Sequence, residues 1–354
     1  MTIDEQLQTI CTGVGFDVHK FAGKTVAITG CSGFLGSWFL AFFQFLNTNY
    51  LNAPVTVVGI DSFIATDKDN YIVDLSDSNI RIEKGDCSDK TQLQSILGLY
   101  DVDYIIHAAG IASPIFYRKF PIETIEGMAL GLINLLKIAT EKKLEGMLVF
   151  SSSEMYGNPL VGNVPTPEDY NGNVSATGPR SCYDEAKRLE ETLCVAYHKV
   201  HSIPVNWVRP FNVYGPGMRV NDDRVVPKFI FQGLRGEEFT VHLPGLQTRT
   251  FCYVTDAMIG FLKVLLHPEK GQVFNIGNDD PELTIKDLAD KINQTLFNGT
   301  IKIKKIEMPE EYPTDQAQRR CPDLSKARRE LQYEPTVNLE NGLKMSLEWA
   351  KTQL

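Results

Sequence analysis

Lys24-Thr-Val-Ala-Ile-Thr29-Gly30-Cys-Ser-Gly33-Phe34-Leu35-Gly36 is the stretch that decides the fold. A short apolar run leads straight into three glycines. Trp38, Leu40, Phe42 and Phe43 follow, on what reads as a helix beginning near Gly33. Strand, glycine turn and helix form the context that a dinucleotide-binding fingerprint requires. Glycines let the backbone approach a pyrophosphate, and a helix N-terminus suits its negative charge. The spacing is GxxGxxG rather than GxGxxG, and it nominates Gly30, Gly33, Phe34, Leu35 and Gly36 as cofactor-binding residues.

Outward from this point the chain alternates apolar runs with helical patterns, the signature of a parallel sheet with crossover helices. Strands are expected at 24–29, 55–60, 80–84, 104–107, 146–150 and 204–208, with long helices at 123–141 and 183–200. Asp61, with Ser62 beside it, closes the second strand, where a carboxylate can accept hydrogen bonds from an adenosine ribose. No arginine follows immediately to receive a 2′-phosphate, so NAD is favoured over NADP. Asp86 can meet the adenine amino group, and Cys87, Ala108, Ala109 and Gly110 complete the expected cofactor set. After Arg209 the loops become rich in Gly, Pro and charge, and amphipathic helices are expected at 283–297 and 339–352. The fold class is therefore α/β: a Rossmann-type doubly wound parallel sheet with a smaller C-terminal α/β substrate-binding lobe. The divisions are an N-terminal extension (1–22), an NAD-binding domain (23–209) and a mainly substrate-binding lobe (210–354).

Composition narrows the function. The 354 residues carry a net charge of −9, which argues against nucleic-acid or anionic-membrane surfaces. No stretch reaches the roughly 18 consecutive apolar residues of a membrane span. No basic segment followed by an apolar run opens the chain. The seven cysteines are scattered without CxxC spacing, which fits reduced thiols better than disulfides or a metal site. A cytoplasmic enzyme without a metal is the expectation.

The chemistry is carried by Tyr183 and Lys187, in Gly178-Pro-Arg-Ser-Cys-Tyr-Asp-Glu-Ala-Lys187. Four residues apart, they share one helix face. An ammonium near a phenol, helped by a nicotinamide cation, can lower a pKa that is ordinarily about 10. The result is a base that can take a proton from a sugar hydroxyl while NAD accepts the hydride.

These motifs, with His107-Ala-Ala-Gly110 and Arg209-Pro-Phe-Asn212, resemble an extended short-chain dehydrogenase/reductase acting on nucleotide sugars. Ala112-Ser-Pro-Ile-Phe-Tyr117, Ser152-Ser-Glu-Met-Tyr-Gly157, Gln247-Thr-Arg249-Thr-Phe-Cys-Tyr and Pro322-Asp-Leu-Ser-Lys-Ala327 resemble the UDP-glucuronate decarboxylase family more closely. The resemblance implies that Tyr183 deprotonates the 4-hydroxyl, Ser152 hydrogen-bonds the 4-oxygen and Lys187 tunes Tyr183 and holds the nicotinamide ribose. It further implies that Arg249 lies near the sugar carboxylate, with Tyr117 on the glucuronate side and Asn212 and Arg224 along the diphosphate and uridine. A dehydratase would carry Asp-Glu where this chain has Ser153-Glu154; serine cannot serve as that acid at neutral pH, so decarboxylation is favoured and Glu154 joins the catalytic set. Departures remain: His242-Leu-Pro-Gly245 stands where the family has Tyr-Gly-Asp-Gly near the base, which makes His242 a candidate for base recognition. The alternatives are a 4-epimerase, a 4-keto-sugar producer, a 4,6-dehydratase or a non-catalytic NAD-binding scaffold. Relatives pair through the helices corresponding to 123–141 and 183–200, so a homodimer is implied.

Overall fold

The computed structural model describes residues 1–64, 66, 71–307 and 316–354. Its frame is a parallel sheet of seven strands: β1 (Thr25–Thr29), β2 (Thr56–Asp61), β3 (Ile80–Lys84), β4 (Tyr104–His107), β5 (Gly146–Phe150), β6 (Val205–Pro210) and β7 (Val273–Ile276). They lie in the order β7-β6-β5-β4-β1-β2-β3. The order reverses between β1 and β4, which opens a crevice at the carboxyl ends of those two strands.

The two-residue period of the strands divides the core. Val26, Ile28, Val57 and Leu148 pack to one side, against the helices Phe34–Asn49 and Val254–Leu266. Ala27, Val58, Ile105 and Val149 pack to the other, where the helices Gly131–Ala139 and Ser181–His201 lie.

Three features differ from the expectations. The sheet takes its seventh strand from residues 273–276, so the chain returns to the dinucleotide-binding sheet after crossing into the later lobe. A strand of four residues beyond the change in composition has too little length to declare its partner. The long helix expected at 123–141 is divided: Pro121–Ile125, a π-turn at Glu126–Leu130, then Gly131–Ala139. Residues 1–22, without a place in the sequence scheme, form a helix (Ile3–Val14) and a 3₁₀ turn (Gly15–Phe21). Leu7, Ile10, Val18 and Phe21 are buried in the main core, and the Tyr253 hydroxyl donates to Gln6 at 2.8 Å. Thr2 and Glu5 form a capping box that starts this helix. Among the described residues, no helix is long and apolar enough to cross a membrane.

Candidate active site

The glycine turn forms because only glycine fits it. Gly30 has φ +72°, and a Cβ at Gly36 would lie 2.2 Å from the Gly30 carbonyl oxygen, so the helix start packs directly on the turn. The Gly30 N–H donates to the Ile60 carbonyl at 2.8 Å, tying the turn to β2. A cleft opens there, lined by Gly30, Gly33, Asp61 and Ser62 on one side. Asp86, Cys87, Ala108, Ala109 and Gly110 line the other. Phe34, Leu35 and Gly36 form the first helical turn behind it. Asp61 is aimed by two backbone donors, Ser32 N at 3.0 Å and Phe63 N at 2.9 Å. Among the described residues the cleft presents four carboxylates (Asp61, Asp86, Glu123 and Glu126) and no lysine or arginine. A glycine cradle beside a carboxylate at the end of β2, with no lysine or arginine among the described lining residues, fits NAD.

The reactive group stands at the end of β5. Ser152 caps the 3₁₀ turn Ser153–Tyr156, its Oγ accepting the Glu154 N–H at 3.1 Å, and it neighbours Tyr183 closely enough to lower the phenol's pKa. Ser153 is buried within that turn. Tyr183 lies on the Ser181–His201 helix and stacks on Tyr117, with ring centroids 5.3 Å apart and planes at 22°. Burial pushes the Tyr183 phenol well above its usual value and the neighbouring Ser152 offsets this only in part, where the sequence led to the expectation of a lowered phenol. Tyr117 is buried behind Tyr183 rather than open to the cleft, and its hydroxyl has no hydrogen-bond partner. Lys187, one turn along the helix, donates to the Phe150 carbonyl at 2.7 Å and to Glu190 Oε2 at 2.8 Å. Its Nζ lies 5.9 Å from the Tyr183 ring centroid.

A second cleft is built between the sheet and the later lobe. Glu154 stands in it between two arginines. Arg320 is bidentate, Nη1 and Nη2 each donating to one carboxylate oxygen at 2.5 Å. Arg180 pairs with Glu154 Oε2 and reaches Asp184 at 3.4 Å. Burial disfavours the Glu154 charge, but the fields of Arg180 and Arg320 outweigh it and hold the carboxyl well below its usual range. Burial and the Glu154 charge push Asp184 the opposite way. Arg249 lines the same cleft, its Nη1 donating to the Thr248 carbonyl at 2.8 Å, and adds a weaker field at Glu154.

Asn212, Arg224 and His242 also line this cleft. Asn212 is held at φ +39° with its amide donating to Thr250 O at 2.9 Å. Arg224 is paired with Asp222 and lies over the Phe34 ring, 5.7 Å from its centroid. The structure thus brings Glu154, Asn212, Arg224, His242 and Arg249 together, and seats Ser152, Tyr183 and Lys187 at the end of β5.

Sequence reasoning missed Arg180 and Arg320, the two direct partners of Glu154. Both were in plain view, Arg180 inside the segment that carries Tyr183 and Arg320 two residues before Pro322-Asp323. Arg320 lies 166 positions from its partner, so no local spacing joins them. The placing of Glu154 in the catalytic set was the available signal, because a carboxylate that is buried and ionised demands cations.

Comparison with known proteins gives the family of the chain. The family described as "NAD dependent epimerase/dehydratase family" matches residues 26–277. UDP-glucuronic acid decarboxylase 5 of Arabidopsis thaliana is 39% identical over 318 residues, covering 90% of this chain and 86% of the relative. UDP-glucuronic acid decarboxylase 1 of Xenopus tropicalis is 36% identical over 331 residues, covering 94% and 73%. Among solved structures, UDP-N-acetylglucosamine 4-epimerase from Methanobrevibacter ruminantium superposes with a TM-score of 0.81 at 25% identity, covering 94% of this chain and all of that one. A dTDP-glucose 4,6-dehydratase from Streptomyces venezuelae with NAD bound gives 0.80 at 24% identity, covering 93% and 97%, a likeness of fold. The chain belongs to the NAD dependent epimerase/dehydratase family of extended short-chain dehydrogenase/reductases, in which its named relatives are UDP-glucuronic acid decarboxylases.

Proposed function

We propose that this protein is an NAD-dependent decarboxylase that converts UDP-glucuronate to UDP-xylose through a 4-keto sugar. The observation that carries the reading is the charge of the second cleft. In a chain of net charge −9 it is lined, among the described residues, by six cations (Arg118, Arg180, Arg224, Lys228, Arg249 and Arg320) and two acids (Glu154 and Asp223). A diphosphate joined to a carboxylate is the polyanion that such a wall suits, and guanidinium geometry favours both groups. The relatives' names supply the same substrate independently.

Each step follows from a named group. Tyr183, beside Ser152, takes the 4-hydroxyl proton, and Lys187 on the same helix face supplies the positive field that assists it. NAD, when bound, accepts the C4 hydride and later returns it. The resulting 4-ketone is β to the C6 carboxylate, so carbon dioxide leaves as its electrons pass into an enolate whose oxygen faces Ser152 and Tyr183. A proton taken from water at C5, return of the hydride to C4 and return of the Tyr183 proton to the 4-oxygen give the pentose without net oxidation. Glu154 is held ionised, so it orients Arg180 and Arg320 at the carboxylate side rather than donating a proton. Ser153 puts no carboxyl at the position where a dehydratase carries its acid for removal of a 6-hydroxyl.

The test is carbon dioxide release from UDP-glucuronate with NAD present, with NMR of the product. Stoichiometric carbon dioxide and UDP-xylose support the reading. A 4-epimer or a 6-deoxy-4-keto sugar without carbon dioxide overturns it.

The same reading includes a homodimer in the cytoplasm. Ile122 and Ile125 on one helix stretch and Leu189 and Val195 on the Ser181–His201 helix are exposed apolar side chains, which supports pairing through those faces. All seven cysteines are free, which supports a reducing compartment. A monomer mass by light scattering at micromolar protein would overturn the dimer.

A further inference from the structure

Behind Lys187 lies a buried carboxylate that the reaction above does not use. Glu190 sits one turn farther along the same helix and is fully buried. Its Oε2 accepts from Lys187 Nζ at 2.8 Å, while Oε1 has no hydrogen-bond partner. His107 Nε2, from the end of β4, stands 3.8 Å from the Glu190 carboxylate and is likewise without a partner. His107 Nδ1 bonds Thr29 Oγ1 at 2.7 Å, and Thr29 is the last residue before the glycine turn. Burial, and then the Lys187 charge, hold His107 down to about 3, so it is neutral and leaves Lys187 as the one cation against Glu190.

The neighbouring Glu191 shows that Glu190 is not merely one more helix acid. Glu191 turns to the opposite task, binding Arg209 through Nε at 2.8 Å and Nη2 at 2.6 Å. That pair ties the helix to β6. Among the described residues Glu190 reaches no other element by hydrogen bond, and its side-chain donor is the catalytic lysine.

The position of the ammonium matters because of what lies on its other side. A Cβ placed on Gly110 would stand 3.7 Å from Lys187 Nζ, and Gly110 lines the dinucleotide cleft. An ammonium has three donors. Two are taken by Phe150 O and Glu190, which leaves the third for the cleft. Burial raises the Glu190 carboxyl above its usual range and the Lys187 charge counters it, so the lysine is what keeps the buried acid charged and the acid in turn holds the ammonium.

We infer that Glu190 is a positioning residue: its carboxylate fixes the Lys187 ammonium at the Gly110 wall of the dinucleotide cleft, so that the third N–H is aimed at the bound cofactor. The inference rests on the catalytic assignment of Lys187 given above. It has a cost, since the Glu190 charge also opposes ionisation of Tyr183. Placement of the ammonium outweighs that opposition only if the lysine would otherwise swing away.

The experiment uses the full chain with Glu190→Gln, which keeps the shape and one acceptor but removes the charge, and Glu190→Asp, which keeps the charge one methylene short. For Glu190→Gln the expected results are an NAD dissociation constant raised about tenfold, by calorimetry without sugar, and kcat lowered about tenfold. KM for the nucleotide sugar stays within about twofold, because the cationic cleft is untouched. Glu190→Asp recovers part of both losses. Wild-type NAD affinity and kcat in Glu190→Gln, with only a lower unfolding temperature, would reduce Glu190 to a structural acid and overturn the inference. If Glu190→Gln does not fold, Glu190→Asp decides: NAD affinity equal to wild type overturns the inference, and weakened NAD affinity with unchanged sugar KM supports it. NAD binding is measured without sugar, so failure of the wild type to decarboxylate UDP-glucuronate would refute the proposed function and leave this test intact.

Discussion

The two clefts of the molecule are built on opposite plans. The dinucleotide cleft is made of backbone and small side chains, and among the described residues it is lined by four carboxylates and no lysine or arginine. The second cleft is made of long side chains from distant parts of the chain, and among the described residues its cations outnumber its acids by six to two. A cofactor that keeps its place can be held by shape, backbone donors and a ribose-binding carboxylate. A substrate carrying a diphosphate and a carboxylate needs charge. The difference teaches that one sheet edge can present two fields of opposite sign if the second is supplied by another lobe.

The largest effect expected is at the reactive tyrosine. Tyr183→Phe removes the one group that must reach the 4-hydroxyl, and loss of a general base costs about 10²–10⁴-fold. Both NADH formation and carbon dioxide release should fall together in single-turnover absorbance and gas measurements, with NAD affinity preserved. NADH formation at the wild-type rate would break the assignment.

Next comes the cationic side alone. Arg320→Lys keeps the charge but loses the fork that grips both oxygens of Glu154. Carbon dioxide release should slow about 10- to 100-fold while transient NADH still forms. Glu154→Gln should behave similarly, because it too disturbs the carboxylate side and leaves Tyr183 in place. If either variant releases carbon dioxide at the wild-type rate, the division of labour between the clefts is wrong.

On the acidic side the effect should be smaller. Asp61→Asn removes the ribose-facing charge but keeps an acceptor, so NAD binding should weaken by about tenfold or less, with KM for the sugar unchanged. Calorimetry without sugar measures it. A change in sugar KM larger than that in NAD affinity would show that the two clefts are not independent.

The smallest expected effect is a pH dependence of stability. The folded-state pKa of Glu154 is lowered by Arg180 and Arg320, so its contribution is present above its unfolded value of about 4.5 and is lost as pH falls through the folded value. The difference in unfolding temperature between wild type and Glu154→Gln should therefore shrink as pH is lowered from 5 toward 3. A constant difference would mean that Glu154 is not held ionised by its arginines.

Much of the first cleft was legible because its parts are local. Thr25–Thr29, the glycines after it and Asp61 at the end of the next strand lie within a short stretch, and a strand–turn–helix admits one arrangement of them. Tyr183 and Lys187 were legible for the same reason, one helical turn apart. The second cleft was only half legible. Glu154 and Arg249 were named through resemblance, whereas Arg180 and Arg320 became partners of Glu154 only when a loop after β5, a helix start and a short strand at Arg319–Arg320 met.

The sequence alone therefore determined what short-range geometry can encode: a parallel α/β sheet, a glycine turn that admits a pyrophosphate, and a tyrosine and lysine on one helix face. Tertiary structure decided which charges meet. It folded residues 1–22 into the core, brought β7 back to the sheet from beyond residue 210, clamped Glu154 between two arginines and set Glu190 against Lys187. The physical reason is range. Backbone conformation answers to neighbours within a few residues, whereas a buried charge answers to whatever opposite charge the completed fold brings within hydrogen-bonding distance.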